Sequence, residues 1–169
     1  DFIRFCDAFS IPVLSLVSAT GFDTTVANEK SVAREAARLI HTFADASAPK
    51  VTLLTGEAYG SAYLTMNSGH IGADLVYAWP TASVGMMPAE NAVKIIYNDE
   101  IDASDDAQGL IAEKAAAYAA LQTSPESAAG RGYVDAVIEP ESTRQHLIAA
   151  FEMLYSKRAV RPSKKHSTL

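Results

Sequence analysis

The chain has 169 residues, 49% of them hydrophobic, which is enough to close one sizeable core and too short for two comfortable domains. Its formal net charge of −6 argues against nucleic acid as the main partner. No apolar run approaches the roughly 20 residues that a membrane-spanning helix needs, and no signal-peptide pattern opens the chain, so no membrane span is expected.

In chain order, Phe2, Phe5, Cys6 and Phe9 share one face of an opening helix, which predicts an apolar face with Cys6 as a packed core thiol and not a nucleophile. The pattern is already under way at Asp1, without a methionine, and this predicts a piece of a longer protein. A single cysteine cannot form an internal disulfide, so a reducing interior is expected, the cytoplasm or the mitochondrial matrix. Residues 13–17 read as a buried strand that ends in a turn at Thr20-Gly21-Phe22. Asn28 is the expected N-cap of a helix to about Ala46, with Val32, Ala36, Leu39, Ile40 and Phe43 at helical spacing.

Residues 51–55 form a short β-branched strand, and 62–67 can start a helix. Residues 75–78 and 83–86 read as short strands flanking Trp79-Pro80, followed by a helix over 89–97. Asp105 or Asp106 can cap an alanine-rich helix ending near Leu121, where Ser124-Pro125 stops it. Gly132 marks a turn, 134–138 a strand, and Pro140 opens a last helix to about Lys157 with Leu147, Ile148, Phe151 and Leu154 inward. Strands alternating with helices predict an α/β domain with a largely parallel sheet. The absence of GxGxxG weakens a dinucleotide reading.

Two charge runs stand out: Asp99, Glu100, Asp102, Asp105 and Asp106, and the basic tail of Lys157, Arg158, Arg161, Lys164 and Lys165. Each reads as a solvated face or as a docking surface for a partner subunit. The histidines, His41, His70, His146 and His166, are scattered without metal-ligand spacing, so no metal is expected. His70 reads as a surface histidine before a base.

The chemistry concentrates at the turn after the second strand. Gly56, Gly60, Ser61 and Ala62 remove the bulk that would keep a ligand from the main chain. The first amides of a helix have no intrahelical partner, so the N–H groups of Ser61 and Ala62 can face an anionic oxygen, as an oxyanion hole requires. A glycine-rich strand-to-helix turn is also a plain change of direction, and local chemistry leaves both readings open.

Pro49-Lys50, Gly56-x-Ala58, Gly60-Ser61-Ala62, Gly72-x-Asp74 and Pro88-x-Glu90 fall at spacings that resemble the crotonase superfamily. With the flanking segments 2–17, 48–63, 72–87 and 131–144, and above all Trp79-Pro80-Thr81, the chain resembles the carboxyltransferase (β) subunit of biotin-dependent acyl-CoA carboxylases of the propionyl-CoA carboxylase type. The tail from Arg161 to His166 extends that resemblance.

The resemblance implies a crotonase-like ββα spiral, with residues 1–169 as one domain, the later and incomplete part of a second carboxyltransferase domain. It implies an enzyme that moves a carboxyl group between carboxybiotin and an acyl-CoA such as propionyl-CoA or acetyl-CoA, without metal. Biotin, on a carrier protein, is the cofactor. Biotin carboxyl carrier and biotin carboxylase components, acyl-CoA and further copies of the chain are the partners. The amides of Ser61 and Ala62 form the catalytic oxyanion hole on the biotin side, Gly60, Tyr63, Gly21 and Phe22 bind biotin, and Leu64 takes a place tied to acyl-chain preference. Lacking the CoA-binding half, the isolated chain is expected to be inactive.

Departures from the family pattern include Ser61 for a glycine, Ser18-Ala19-Thr20 for Asp-x-Pro, and the 29–35 stretch where the family has a glycine-rich segment. The alternatives are a subunit of a biotin-dependent acyl-CoA decarboxylase, a hydratase or isomerase using Glu57 or Glu90, and a non-catalytic assembly fragment.

Overall fold

The computed structural model describes residues 1–23 and 25–159, so the basic tail beyond Ala159, with Arg161 and His166, lies outside the described residues. The backbone of the architecture is a parallel sheet. Strand β2, Lys50–Tyr59, lies between β1, Val13–Ala19, and β3, Leu75–Ala78, and β3 pairs with the short β5, Ala136–Val137. Residues 50–54 of β2 are all buried, as expected for a strand covered on both faces. Strand β1 alternates buried and exposed positions because one face packs on the core through Val13 and Val17 while Leu14 and Leu16 on the other side line an open groove.

The second strand is longer than residues 51–55. Gly56 to Tyr59 stay in the strand and pair with β4, Ser83–Gly85. Val17 faces Leu54 while Ala19 faces Ala58, so four steps along β2 oppose two along β1 and the ladder bulges. At that bulge β2 leaves β3 and takes up β4, the corner of a crotonase-like spiral. Gly56 permits it: a Cβ there would sit 2.7 Å from the Ser18 hydroxyl oxygen.

Helix α1, Phe2–Ala8, turns Ile3 and Cys6 inward against Val13, Phe43 and Ala46. The expected face was the wrong one: Cys6 is a core thiol, but Phe2, Phe5 and Phe9 are exposed. Asn28 is not the cap of the next long helix. It lies inside a single turn, α2, Val26–Glu29, capped by Thr25, and α3, Val32–Asp45, starts after Ser31. The main core gathers Val17, Leu54, Ala58, Tyr63, Val76 and Val134 around the sheet.

Helix α4, Gly60–Thr65, follows β2 directly. Helices α5, Ala89–Ile96, α6, Asn98–Asp102, and α7, Ala107–Tyr118, form an outlying layer, where Lys114 meets Glu100 at 3.0 Å and covers the Tyr97 ring. Asp106 caps α7 by accepting from the Gly109 amide. A π-helical turn, Ala119–Thr123, leads into α8, Pro125–Gly130, which Ser124 caps with Pro125 in the first position. The stop at Ser124-Pro125 thus also starts a helix. In α9, Thr143–Leu154, Ala150 is buried while Leu147, Phe151 and Leu154 are half-buried and Ile148 is exposed, so its expected inward face lines an open groove.

Candidate functional site

Strand β2 delivers the chain to Gly60, whose φ of +57° an L side chain rarely adopts. A Cβ on Gly60 would also stand 3.1 Å from the Met86 carbonyl oxygen, so conformation and space both require glycine. Helix α4 begins there with no side-chain cap, which leaves its first-turn amides, those of Ser61 and Ala62 among them, without intrahelical partners. Ser61 keeps a negative φ, because the described non-glycine residues with positive φ are Ser10 and Asn67. Its side chain is exposed, so serine fits where relatives of this pattern carry glycine.

The helix is held from behind. The Thr65 hydroxyl donates to the Ala62 carbonyl at 2.8 Å and the Ser68 hydroxyl to Leu64 at 3.2 Å. Thr52 of β2 donates to the Asn67 carbonyl at 2.6 Å, and the Asn67 amide returns to the Thr52 oxygen at 3.0 Å. All of Thr52, Thr65, Asn67 and Ser68 are buried, so the turn rests on a fixed polar support.

Behind the turn lies a cavity of about 280 Å³. Gly60, Tyr63 and Leu64 line it, so three of the expected site residues meet there. Gly21 and Phe22 do not line it. They are exposed at the end of β1, at the same end of the sheet as the turn, because Ala19 pairs with Ala58. Ala62 is buried beneath the turn and the Ser61 side chain is exposed on its outside.

Residues that the sequence reading did not assign to the site also line the cavity, among them Tyr118, Gln122, Arg131 and Tyr133. The local signal for two of them was the 131–144 segment, quoted only as part of a family pattern. Arg131 is occupied, donating to the Gln122 side-chain oxygen at 2.5 Å and to the carbonyls of Leu121 and Gln122. His70 also lines the cavity, its ring tilted against Tyr133 at 4.9 Å and edge-on to Tyr63 at 6.4 Å. The Tyr63 hydroxyl is buried without a hydrogen-bond partner, and burial pushes its pKa up to about 12. Glu57 and Glu90 are exposed and neither lines the cavity. Among the described residues no group of three or more His, Cys, Asp or Glu is placed to hold a metal ion, and no helix is long and apolar enough to cross a membrane.

The family described as the carboxyl transferase domain matches residues 1–169. The chain is 45% identical to the propionyl-CoA carboxylase carboxyltransferase subunit of Haloferax mediterranei, covering 99% of this chain and 33% of that relative. It is 43% identical to the methylmalonyl-CoA decarboxylase subunit alpha of Propionigenium modestum, over 99% of this chain and 33% of that one. A crystal structure of transcarboxylase 12S, a hexamer assembly with methylmalonyl-coenzyme A and methylmalonic acid bound, superposes with a TM-score of 0.94 at 42% identity, covering 99% of this chain and 32% of the other. The chain therefore spans about a third of the length of the curated relatives it matches.

Proposed function

The chain belongs to the carboxyl transferase domain family, and from that premise we propose that it is the biotin-side half of an acyl-CoA carboxyltransferase, a single domain working with a CoA-binding half, a biotin carboxyl carrier and biotin carboxylase, and further copies of itself. The observation that carries the reading is the uncapped first turn of α4 on Gly60, in a short helix whose far end is tied to β2 by the Thr52–Asn67 hydrogen bonds. The donor set fits a neutral ureido ring: amides for its oxygen, a cavity without a carboxylate, and an unpartnered hydroxyl at Tyr63.

Bound there, carboxybiotin would supply a transferable carboxyl group. The amides of Ser61 and Ala62 would hold its ureido oxygen and stabilise the negative charge of the transition state more than the ground state. Gly60 holds the turn open, and Gly21 and Phe22 follow β1 at the same end of the sheet. Leu64, at the position that the resemblance ties to acyl-chain preference, borders the cavity, and the acyl-CoA is of the propionyl-CoA or acetyl-CoA kind. A hydratase or isomerase would need a carboxylate base, and the exposed Glu57 and Glu90 stand outside the cavity.

The test combines the purified chain with free carboxybiotin and propionyl-CoA, with and without the acyl-CoA half in trans. Half a site cannot bring two reactants together, so product is expected only with both halves. In the reconstituted enzyme Ser61→Gly should keep the rate, whereas Ala62→Pro removes a donor within the first helical turn and should lower it about 100- to 1000-fold. An Ala62→Pro enzyme with native circular dichroism and full carboxyl transfer would overturn the assignment.

A further inference from the structure

The open groove between β1, β2 and α9 carries a charge pattern that its apolar walls do not explain. The residues of α9 and its flanks that line it are spaced evenly about Ile148: Arg144 lies four residues before it and Glu152 four after, Glu141 seven before and Tyr155 seven after. Steps of four and seven return to one face of a helix, and Tyr155, the cap, keeps helical angles, so these residues form one stripe. Ile148 is 50% exposed and Tyr155 86%. The side chains of Glu141, Arg144 and Glu152 are exposed as well, and none has an ion-pair or hydrogen-bond partner among the described residues.

Such a stripe is complementary to itself when turned end for end. Two copies of α9 laid antiparallel about a two-fold axis at Ile148 set each Arg144 opposite the partner's Glu152 and each Glu141 opposite the partner's Tyr155. Each side of the axis then gains an ion pair and a hydrogen bond from hydroxyl to carboxylate. A parallel pairing would set Arg144 against Arg144 and Glu152 against Glu152, which like-charge repulsion opposes. The apolar part of the groove agrees with the antiparallel one. Ile148 meets its own copy at the axis, and the exposed Leu14 and Leu16 of β1 form the wall against which the second helix buries its apolar side chains. Complementarity about a centre serves a second copy of this chain and has no use for an unrelated partner.

We propose that two copies of this chain join through α9, antiparallel about a two-fold axis at Ile148, with the pairing of Arg144 and the partner's Glu152 setting the register. This goes beyond the biotin-side reading and does not depend on it, since the groove and the cavity at the turn share no lining residue.

The test compares the full chain, its Arg144→Glu and Glu152→Arg variants, and an equimolar mixture of the two variants by sedimentation equilibrium. Each variant alone sets like charge against like twice per dimer, so its dimer should weaken about 10- to 100-fold, with native circular dichroism because both side chains are exposed and unpaired. The mixture restores opposite charges at both contacts and should dimerise as tightly as the unsubstituted chain, with one copy of each variant per dimer. Ile148→Cys should form a covalent dimer under mild oxidation, because residues on the axis meet, whereas Met153→Cys, equally exposed but outside the groove, should not. The native Cys6 is buried and does not compete. Charge variants that dimerise as well as the unsubstituted chain, a mixture no tighter than its components, or equal cross-linking at positions 153 and 148 would overturn the proposal. So would a chain that stays monomeric. If the thiol of the Ile148→Cys monomer is then shielded from a thiol reagent, the groove is filled by the chain's own residues beyond Ala159, and if it reacts freely, the groove's occupant is a partner other than this chain.

Discussion

Asp7 and Tyr63 show how burial acts on two single groups with opposite results. Burial raises the pKa of Asp7, but hydrogen bonds from the Ala48 and Ser47 amides and the Ser47 hydroxyl, with the charge of Lys50, outweigh it and hold the carboxyl below its usual range. The native state then resists protonation more than the unfolded chain does. Its contribution is present above the unfolded pKa of about 4 and is lost as pH falls through the lower native value. Asp7→Asn should therefore be less stable near neutrality yet show a flatter decline below about pH 4, read from urea midpoints at pH 6 and pH 3. Tyr63 has only the raising effect, to about 12. Between pH 10 and 12 the unfolded tyrosine ionises while the native one stays neutral, so stability falls there. Tyr63→Phe should remove that part of the alkaline decline.

Among the elements, the strand-to-helix turn depends on Gly60, where both φ and the Met86 carbonyl exclude a side chain. Gly60→Ala should cost about 1–2 kcal/mol in urea denaturation from the left-handed backbone alone. At the other side of the sheet, the Trp79 indole N–H donates to the Thr143 hydroxyl at 2.9 Å and fastens the start of α9 to the end of β3. Thr143→Val should cost about 1 kcal/mol and shift the emission of the single tryptophan, which makes the loss directly visible. Strand β3 and the capped start of α7 at Asp106 were legible in the sequence because alternation and capping are local signals. The rest was not, for reasons of pairing. Gly56 and Glu57 read as turn residues, and only the bulge against β1 and the exchange of β3 for β4 keep them extended. Asn28 is a good cap by type, but Thr25 caps a preceding short turn and Ser31 precedes the long helix. The turn with Gly60, Ser61 and Ala62 was visible from spacing, whereas Gln122, Arg131 and Tyr133 reach the cavity from a segment some sixty residues away, which packs back against β4 and returns to the sheet at β5.

At the scale of the molecule, one face is closed by charge and another is open and apolar. Lys157 Nζ meets Asp74 at 2.8 Å and the Ala48 carbonyl at 3.2 Å, and the same Asp74 oxygen accepts from the Lys50 amide, so the end of the chain beyond α9 is clamped to the base of the sheet. Asp74→Ala orphans the Lys50 amide and one charge together and should cost about 1–3 kcal/mol, more than Lys157→Met, which leaves the amide bond intact.

Between β1, β2 and α9 runs a groove of about 980 Å³, where Leu14, Leu16, Leu53, Trp79, Ile148 and Phe151 face one another. Leu16 is 60% exposed and Ile148 50%, and the outer edge of β1 pairs with no other strand among the described residues. An open strand edge beside a continuous apolar surface favours association, through burial of that surface and pairing of its free backbone groups. The chain should therefore sediment above monomer mass at micromolar concentration. Leu16→Lys or Ile148→Lys places a charge on the groove wall without touching the turn or its cavity and should return the monomer with the fold intact by circular dichroism. A chain that stays monomeric throughout that range, or association that both lysines leave unchanged, would show that this face does not drive it.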